Sequence, residues 1–171
     1  MPLFLLLLFC AALSAQTPPS PPTLPPAAQA HLPKGWKLLE LVSADLNSDG
    51  RADLVFVRAQ EDPKKISKRE DGFIQDNYPR ALVVLLADKD GFSKVVECTK
   101  FIPPEFDPEF EAYDERFRGI SVSNNVLTVS FQHWASAGSW WVDTDAFKFR
   151  LEAGRLRLIG SEKGDFPSFL R

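Results

Sequence analysis

The stretch ALVVLLA at residues 81–87 is apolar at every position, and so is LVFV at residues 54–57. A strand with one face in water alternates apolar and polar side chains, so an unbroken apolar run indicates a strand that is covered on both faces. Residues 127–132 and 147–151 do alternate, with apolar side chains at every second position. The sequence therefore predicts two central strands among others that are half exposed.

Turn-forming residues divide the region into about eight predicted strands. Asp90 and Gly91, Asn124 and Asn125, and Ala153 and Gly154 can each reverse the chain, because Gly and Asn tolerate positive φ. The connections are too short for parallel crossovers, which need a dozen or more residues. We predict an all-β antiparallel meander that forms either a sandwich or a strongly curled sheet. The predicted strands are 36–44, 52–58, 80–87, 92–101, 117–123, 126–134, 139–151 and 155–161.

Two longer connections interrupt this pattern. Residues 59–79 are polar and mixed in charge, with room for a turn of helix. Residues 102–116 are acidic, and aromatic side chains interleaved with the acids favour a segment that folds back onto the domain. The acids are Glu105, Asp107, Glu109, Glu111, Asp114 and Glu115, and the aromatic residues are Phe106, Phe110 and Tyr113.

Charge is distributed very unevenly along the 171 residues. The chain carries 20 Lys and Arg against 23 Asp and Glu, a net charge of −3, and none of these residues lies within 1–33. A slightly acidic chain argues against nucleic acid as a partner, because phosphate neutralisation needs a basic face. The composition predicts an uncharged leader followed by a folded domain at 34–171.

The leader has the composition of an export signal. Residues 3–13, LFLLLLFCAAL, are apolar, but a membrane span needs about 20 residues. Small residues follow this run, as they do before a signal-peptidase cleavage site, so residues 1–15 are predicted to be a signal peptide. Export would leave Cys98 as the only thiol, because Cys10 lies in the signal. We expect a periplasmic or extracellular protein with no transmembrane anchor in the mature chain.

A proline-rich segment connects the leader to the domain. Seven of the 18 residues at 16–33 are proline. Proline removes amide donors and favours an extended conformation, so this segment is predicted to be a semi-rigid spacer, and His31 a linker residue.

Residues 45–53, DLNSDGRAD, contain the motif with the clearest chemistry. Asp45, Asn47, Asp49 and Asp53 occupy positions 1, 3, 5 and 9, which is the oxygen-ligand spacing of a calcium loop. Glycine at position 6 permits a sharp turn, and Arg51 at position 7 would offer its backbone carbonyl. The motif predicts one bound Ca²⁺. The alternative is an ordinary polar turn in which acidic side chains accept backbone hydrogen bonds.

The stretch SADLNSDGRADLVFV at 43–57 resembles the calcium-loop repeat of FG-GAP and VCBS-type domains, in which D-x-N/D-x-D-G-x-x-D precedes an apolar strand. The domain, from PKGWKLLE at 33–40 through GSWW at 138–141 to AFKFR at 146–150, is also similar to small exported bacterial proteins of unknown function built around one such loop. The resemblance implies Asp45, Asn47, Asp49, Asp53 and the Arg51 carbonyl as ligands. It covers a single loop, so a complete propeller is not expected.

No catalytic motif stands out. His133 lies near Ser136, Ser139, Asp143 and Asp145, but the surrounding sequence lacks a nucleophile elbow. We therefore expect a non-enzymatic binding or structural module, whose partner is a protein or glycan of the cell envelope. Trp134, Trp140 and Trp141 serve either core packing or such a partner. The alternative is an exported hydrolase that acts on a polymer through His133 or the acids of 105–115.

Overall fold

The computed structural model describes residues 21–68, 70, 72, 74–104, 116–135 and 141–167. They form two four-stranded antiparallel sheets and a small two-stranded ribbon, as the predicted all-β class requires. The strands are β1 (Trp36–Ala44), β2 (Asp53–Gln60), β3 (Ile66–Lys68), β4 (Ile74–Asp76), β5 (Arg80–Ala87), β6 (Phe92–Cys98), β7 (Phe117–Ser123), β8 (Val126–Ala135), β9 (Trp141–Glu152) and β10 (Arg155–Pro167). Two 3-10 helices accompany them, at Pro26–His31 and Pro63–Lys65.

The eight predicted strands correspond to the two large sheets. Sheet 1 has the order β1-β2-β5-β6 and sheet 2 the order β10-β9-β8-β7, with antiparallel neighbours throughout. The ribbon of β3 and β4, with the second 3-10 helix, lies within the predicted loop 59–79. Two strand ends differ from prediction by more than two residues: β6 ends at Cys98 instead of residue 101, and β10 continues to Pro167 instead of ending at residue 161.

Four hairpin turns lie at the same end of the molecule, which we call the hairpin end. They join β1 to β2, β5 to β6, β7 to β8 and β9 to β10. The pairing of Leu54 with Leu85 brings the first two turns together, and that of Val126 with Arg150 brings the last two together. Asn124 and Asn125 adopt the predicted positive φ, at 50° and 60°, and at the predicted turn of Ala153 and Gly154 both residues have positive φ, at 49° and 72°.

The two sheets pack face to face around one apolar core, so the fold is a sandwich. Val55, Val57, Leu82 and Val84 of sheet 1 meet the inward side chains of sheet 2 there. The remaining buried members of this core are Leu46, Ile102, Ile120, Leu127, Val129 and Phe131. All residues of β2 except its last are buried, as are residues 80–85 of β5, which confirms that these are central strands covered on both sides.

The cover on the outer face of sheet 1 comes from the segment that was predicted to be a spacer. Leu24 and Ala28, 2% and 0% exposed, pack against Phe56, Val83 and Leu85. The prediction of a linker up to residue 33 is corrected here, because residues 24–32 are part of the folded domain. Apolar side chains on that face need a cover, and this short segment supplies it.

Buried Arg58 holds the same segment in place. Its guanidinium donates to the His31 carbonyl, pairs with Glu97 and stacks on Trp36, with 4.5 Å between Cζ and the ring centroid. The His31 ring also lies near sheet 1, with Nε2 3.3 Å from the Phe92 carbonyl oxygen. His31 is therefore a residue of the domain and not of a linker.

The sandwich is fastened along the side where β1 faces β7. The Glu40 carboxylate accepts a hydrogen bond from the Ile120 amide at 3.1 Å. Register shifts occur beside Glu40 and beside Gly119. A Cβ on Gly119, whose φ is 139°, would lie 3.0 Å from Glu40 Oε1, so glycine permits this close approach. Within the described residues, no helix has both the length and the apolar character needed to cross a membrane.

Candidate metal centre

The loop at 45–53 lies at the hairpin end, between β1 and β2. Its second residue, Leu46, is 2% exposed and belongs to the core between the sheets. The loop is therefore attached to the domain by an apolar anchor, and its polar residues extend from a fixed base.

Asp53 is the most deeply buried acid of the loop, with 0% exposure. Its two carboxylate oxygens accept hydrogen bonds from backbone amides, Oδ2 from Leu46 and Oδ1 from Ala87, both at 2.8 Å. A buried charge needs such partners, because an unpaired one is costly. Asp53 thus ties the loop to the end of β5.

The loop curls around the carboxylate of Asp45. Its Oδ1 accepts from the amides of Asn47, Ser48 and Asp49 at 3.2, 2.7 and 3.3 Å, and its Oδ2 accepts from Gly50 at 2.8 Å. Positive φ values of 64° at Ser48 and 82° at Gly50 turn the amides inward. The predicted turn at position 6 is therefore present, and glycine makes it possible without strain.

Asp49 lies on the same turn and is held by Arg51. The guanidinium donates to Asp49 Oδ2 through Nε at 3.2 Å and Nη2 at 2.7 Å. Asn47 Nδ2 donates to the same oxygen at 3.0 Å. The hydrogen bonds from the Arg51 side chain are the largest cause that lowers the pKa of the Asp49 carboxyl to about 2.

The loop also reaches the second sheet. The Asn125 side-chain amide donates to the Ser48 hydroxyl, which connects the loop to the β7–β8 turn. Asp88, in the β5–β6 turn, has a pKa lowered by hydrogen bonds from the Ser93 hydroxyl and the Asp90 amide, and to a smaller extent by the charge of Arg51. The loop is thus linked to both sheets through hydrogen bonds.

The predicted ligands are partly assembled. The structure brings Asp45, Asn47 and Asp49 together on one turn, whereas Asp53 lies behind them with both oxygens hydrogen-bonded. Arg51, predicted to act through its carbonyl, uses its side chain to neutralise Asp49. In the described ranges, no three carboxylate, imidazole or thiol groups converge as a metal would require. The carboxylates of Asp45 and Asp53 accept hydrogen bonds from backbone amides, and that of Asp49 pairs with Arg51.

This donor set fits Ca²⁺ in its chemistry. Carboxylate and amide oxygens are the ligands that Ca²⁺ prefers, and Asp45 Oδ2, which accepts a single amide, retains further acceptor capacity. Asp49 would have to exchange the Arg51 guanidinium for the ion. The sequence did not reveal this competition, although a basic residue two positions after an acid could have signalled it.

His133 pairs with one of the acids that the sequence places near it. Its Nε2 lies 3.4 Å from Asp145 Oδ2, and both side chains are partly exposed. Ser136, Ser139 and the acids of 105–115 lie outside the described residues, as do Trp140 and the predicted signal peptide. No protein-family profile, curated protein or solved structure matches this chain.

Proposed function

We propose that this protein is an exported, non-enzymatic β-sandwich module in which the 45–53 loop binds one Ca²⁺ and the domain serves in binding or structure at the cell envelope. The ligands are the side chains of Asp45, Asn47, Asp49 and Asp53 and the carbonyl of Arg51. The partner is a protein or glycan outside the cytoplasm.

One observation carries the calcium assignment: the loop is curled so that hard oxygens at positions 1, 3 and 5 share one turn. Asn47 Oδ1 accepts from the Asp49 amide at 3.0 Å, and Asp45 accepts four amides. An ion held there would stabilise a loop that hydrogen bonds already connect to β5 and to the β7–β8 turn.

A melting experiment with and without calcium tests this assignment. A ligand at a hundredfold excess over its Kd stabilises the fold by about 2.7 kcal/mol, which for a domain of this size raises Tm by about 5–10 °C. The comparison is between chelator and calcium at about 10–100 mM, which is a hundredfold excess over the roughly 10⁻⁴–10⁻³ M at which extracellular modules bind. A wild-type Tm that ignores calcium, with no binding heat in calorimetry, would refute the assignment.

Two loop variants and a control sharpen the result. Asp49→Ala should abolish most of the calcium-dependent shift, because it removes a ligand. Arg51→Ala should keep the shift or enlarge it, because the Asp49 carboxylate no longer has to leave the guanidinium. Asp90→Ala, an equal change in the neighbouring turn, should leave the shift unchanged. An equal loss in Asp49→Ala and Asp90→Ala would indicate a general charge effect instead of a site.

Export is the second part of the proposal, and the apolar run at 3–13 followed by small residues supports it. The expected mature chain begins near Ala15 or Gln16. Intact-mass measurement on protein recovered from outside the cytoplasm tests this, and a retained Met1 would contradict it.

The hydrolase alternative lacks a specific observation in its favour. Among the described residues, the His133 ring contacts the Asp145 carboxylate, and no hydroxyl forms a hydrogen bond with the imidazole. A histidine and an acid without a nucleophile do not define a hydrolytic site.

A further inference from the structure

A cavity of about 560 Å³ opens between the two sheets, on the side where β6 faces β10. Apolar side chains from both sheets form its wall. They include Leu82, Phe101, Phe147, Phe149, Leu156 and Leu158. The volume lies in the range of about 300–1,000 Å³ that is typical of small-molecule sites.

The aromatic part of the wall has a defined geometry. Phe101, which follows β6, makes edge-to-face contacts with Phe131, Phe147 and Phe149, at centroid distances of 5.5, 5.8 and 5.4 Å. Such contacts hold the rings in place. The wall is therefore preformed, and the hydrogen bond of Glu40 fastens the opposite side of the sandwich.

The mouth of the cavity combines exposed apolar groups with a free cation. Leu158 lines the cavity and is 57% exposed, and neighbouring Ile159 is 43% exposed. Arg155 also lines the cavity and forms no ion pair with another described residue, since Glu152 opposite it in β9 pairs with Arg157. Glu97 also lines the cavity, but Arg58 and Lys94 already engage its carboxylate. The mouth thus presents an uncompensated positive charge.

We propose that this cavity binds a single-chain amphiphile with an anionic head group, the alkyl chain lying among Phe101, Phe147 and Phe149 and the head group pairing with Arg155. The apolar wall excludes a sugar or nucleotide, which would leave polar groups unpaired there. The arginine selects an anionic head over a neutral one. The site is separate from the 45–53 loop and does not depend on calcium.

Calorimetric titration of the full chain with dodecanoate, below its critical micelle concentration, tests the proposal. We expect saturable binding of one molecule, and decanoate should bind more weakly by up to about fourfold for each methylene lost. Lauroyl lysophosphatidylglycerol carries the same chain on a phosphate head group. Tighter binding of the carboxylate would identify a free fatty acid as the ligand, and tighter binding of the lysolipid would identify a membrane lipid.

Variants separate the two parts of the site. Arg155→Gln should weaken dodecanoate binding about three- to tenfold and leave dodecanol binding unchanged. Arg150→Gln is the matched control, because Arg150 is an exposed residue of β9 outside the cavity, and it should bind like wild type. Leu158→Glu should abolish dodecanoate binding, and because Leu158 is largely exposed the variant should fold normally.

Three results would overturn the proposal. The first is the absence of saturable binding of dodecanoate and the lysolipid, and the second is binding that neither Arg155→Gln nor Leu158→Glu alters. The third is a wild-type dimer in sedimentation that Leu158→Glu converts to a monomer, because the apolar mouth would then be covered by a second copy.

Discussion

Asp53 illustrates how one side chain can hold a loop independently of a metal. It is fully buried, and its carboxylate accepts the Leu46 and Ala87 amides at 2.8 Å. Both amides lie beyond the ladders that β2 forms with its neighbours, because Leu46 is in the loop between β1 and β2 and the pairing of β5 with β2 ends at Leu85. The residue therefore joins the loop to β5 through its two hydrogen bonds.

Asp53→Ala should destabilise the protein strongly in the presence of chelator. The change leaves two buried amides unsatisfied, and each costs about 1–3 kcal/mol, so the free energy of unfolding should fall by roughly 2–6 kcal/mol. Urea denaturation measures this. Asp49→Ala, made in the exposed part of the same loop, should have a much smaller effect in chelator. Equal stability of Asp53→Ala and wild type would show that these hydrogen bonds contribute little.

Glu40 is the half-buried acid between β1 and β7. Burial raises the pKa of its carboxyl, and the hydrogen bond from the Ile120 amide opposes this only in part. Because the folded-state pKa lies above the unfolded value, the group's contribution to stability is fully present below the unfolded pKa of 4.5 and is lost as the pH rises through the folded pKa.

Glu40→Gln should therefore remove a pH-dependent destabilisation. The amide oxygen of glutamine can still accept the Ile120 hydrogen bond, but it carries no charge to desolvate. We expect the variant's Tm minus the wild-type Tm to be larger at pH 7 than at pH 4. Melting curves across this range check the sign, and Glu61→Gln, an exposed acid, serves as control. A difference that is constant with pH would contradict the argument.

At the scale of elements, the segment around the first 3-10 helix decides how sheet 1 is covered. Both faces of β2 and β5 are apolar, but sheet 2 covers only one of them. The helix is short and proline-rich, so its stability comes from packing and from the hydrogen bond that Arg58 donates to His31.

Ala28→Asp should destabilise the domain, because it places a charge in a fully buried position against Phe56 and Val83. An unpaired buried charge is among the changes that cost several kcal/mol. Ala30→Asp, on the exposed side of the same helix, should change stability by about 0.5 kcal/mol or less. Chemical denaturation of both variants gives the comparison. Similar stabilities would mean that the segment is dispensable.

At the scale of the whole molecule, the two open sides of the sandwich differ, and four turns lie together at one end. The β1–β7 side is fastened through Glu40 and Gly119, whereas the β6–β10 side opens into the apolar cavity. The hairpin end collects four turns, so the 45–53 loop meets the turns at 88–91 and 124–125 there. The calcium site that we propose therefore lies at the β1–β2 turn, and the amphiphile site that we propose lies along the β6–β10 side of the same domain.

The sequence by itself determined the strands and most of their turns. Period-two alternation indicated half-exposed strands, the apolar runs at 54–57 and 81–87 indicated central ones, and Asn124, Asn125 and Gly154 marked reversals. These signals are local, because side-chain periodicity and backbone preference depend on residues close together in the chain. The order of oxygen side chains at 45–53 is readable for the same reason.

Only the tertiary structure decided what those elements contact. No local sequence pattern predicts that the proline-rich residues 24–32 cover sheet 1. That contact depends on Phe56, Arg58 and Val83, which are far away in sequence. The same holds for Asp53, whose carboxylate bonds to Ala87, and for Glu40, which bonds to Ile120. Long-range packing fixes these partners, and the sequence records only that such side chains are available.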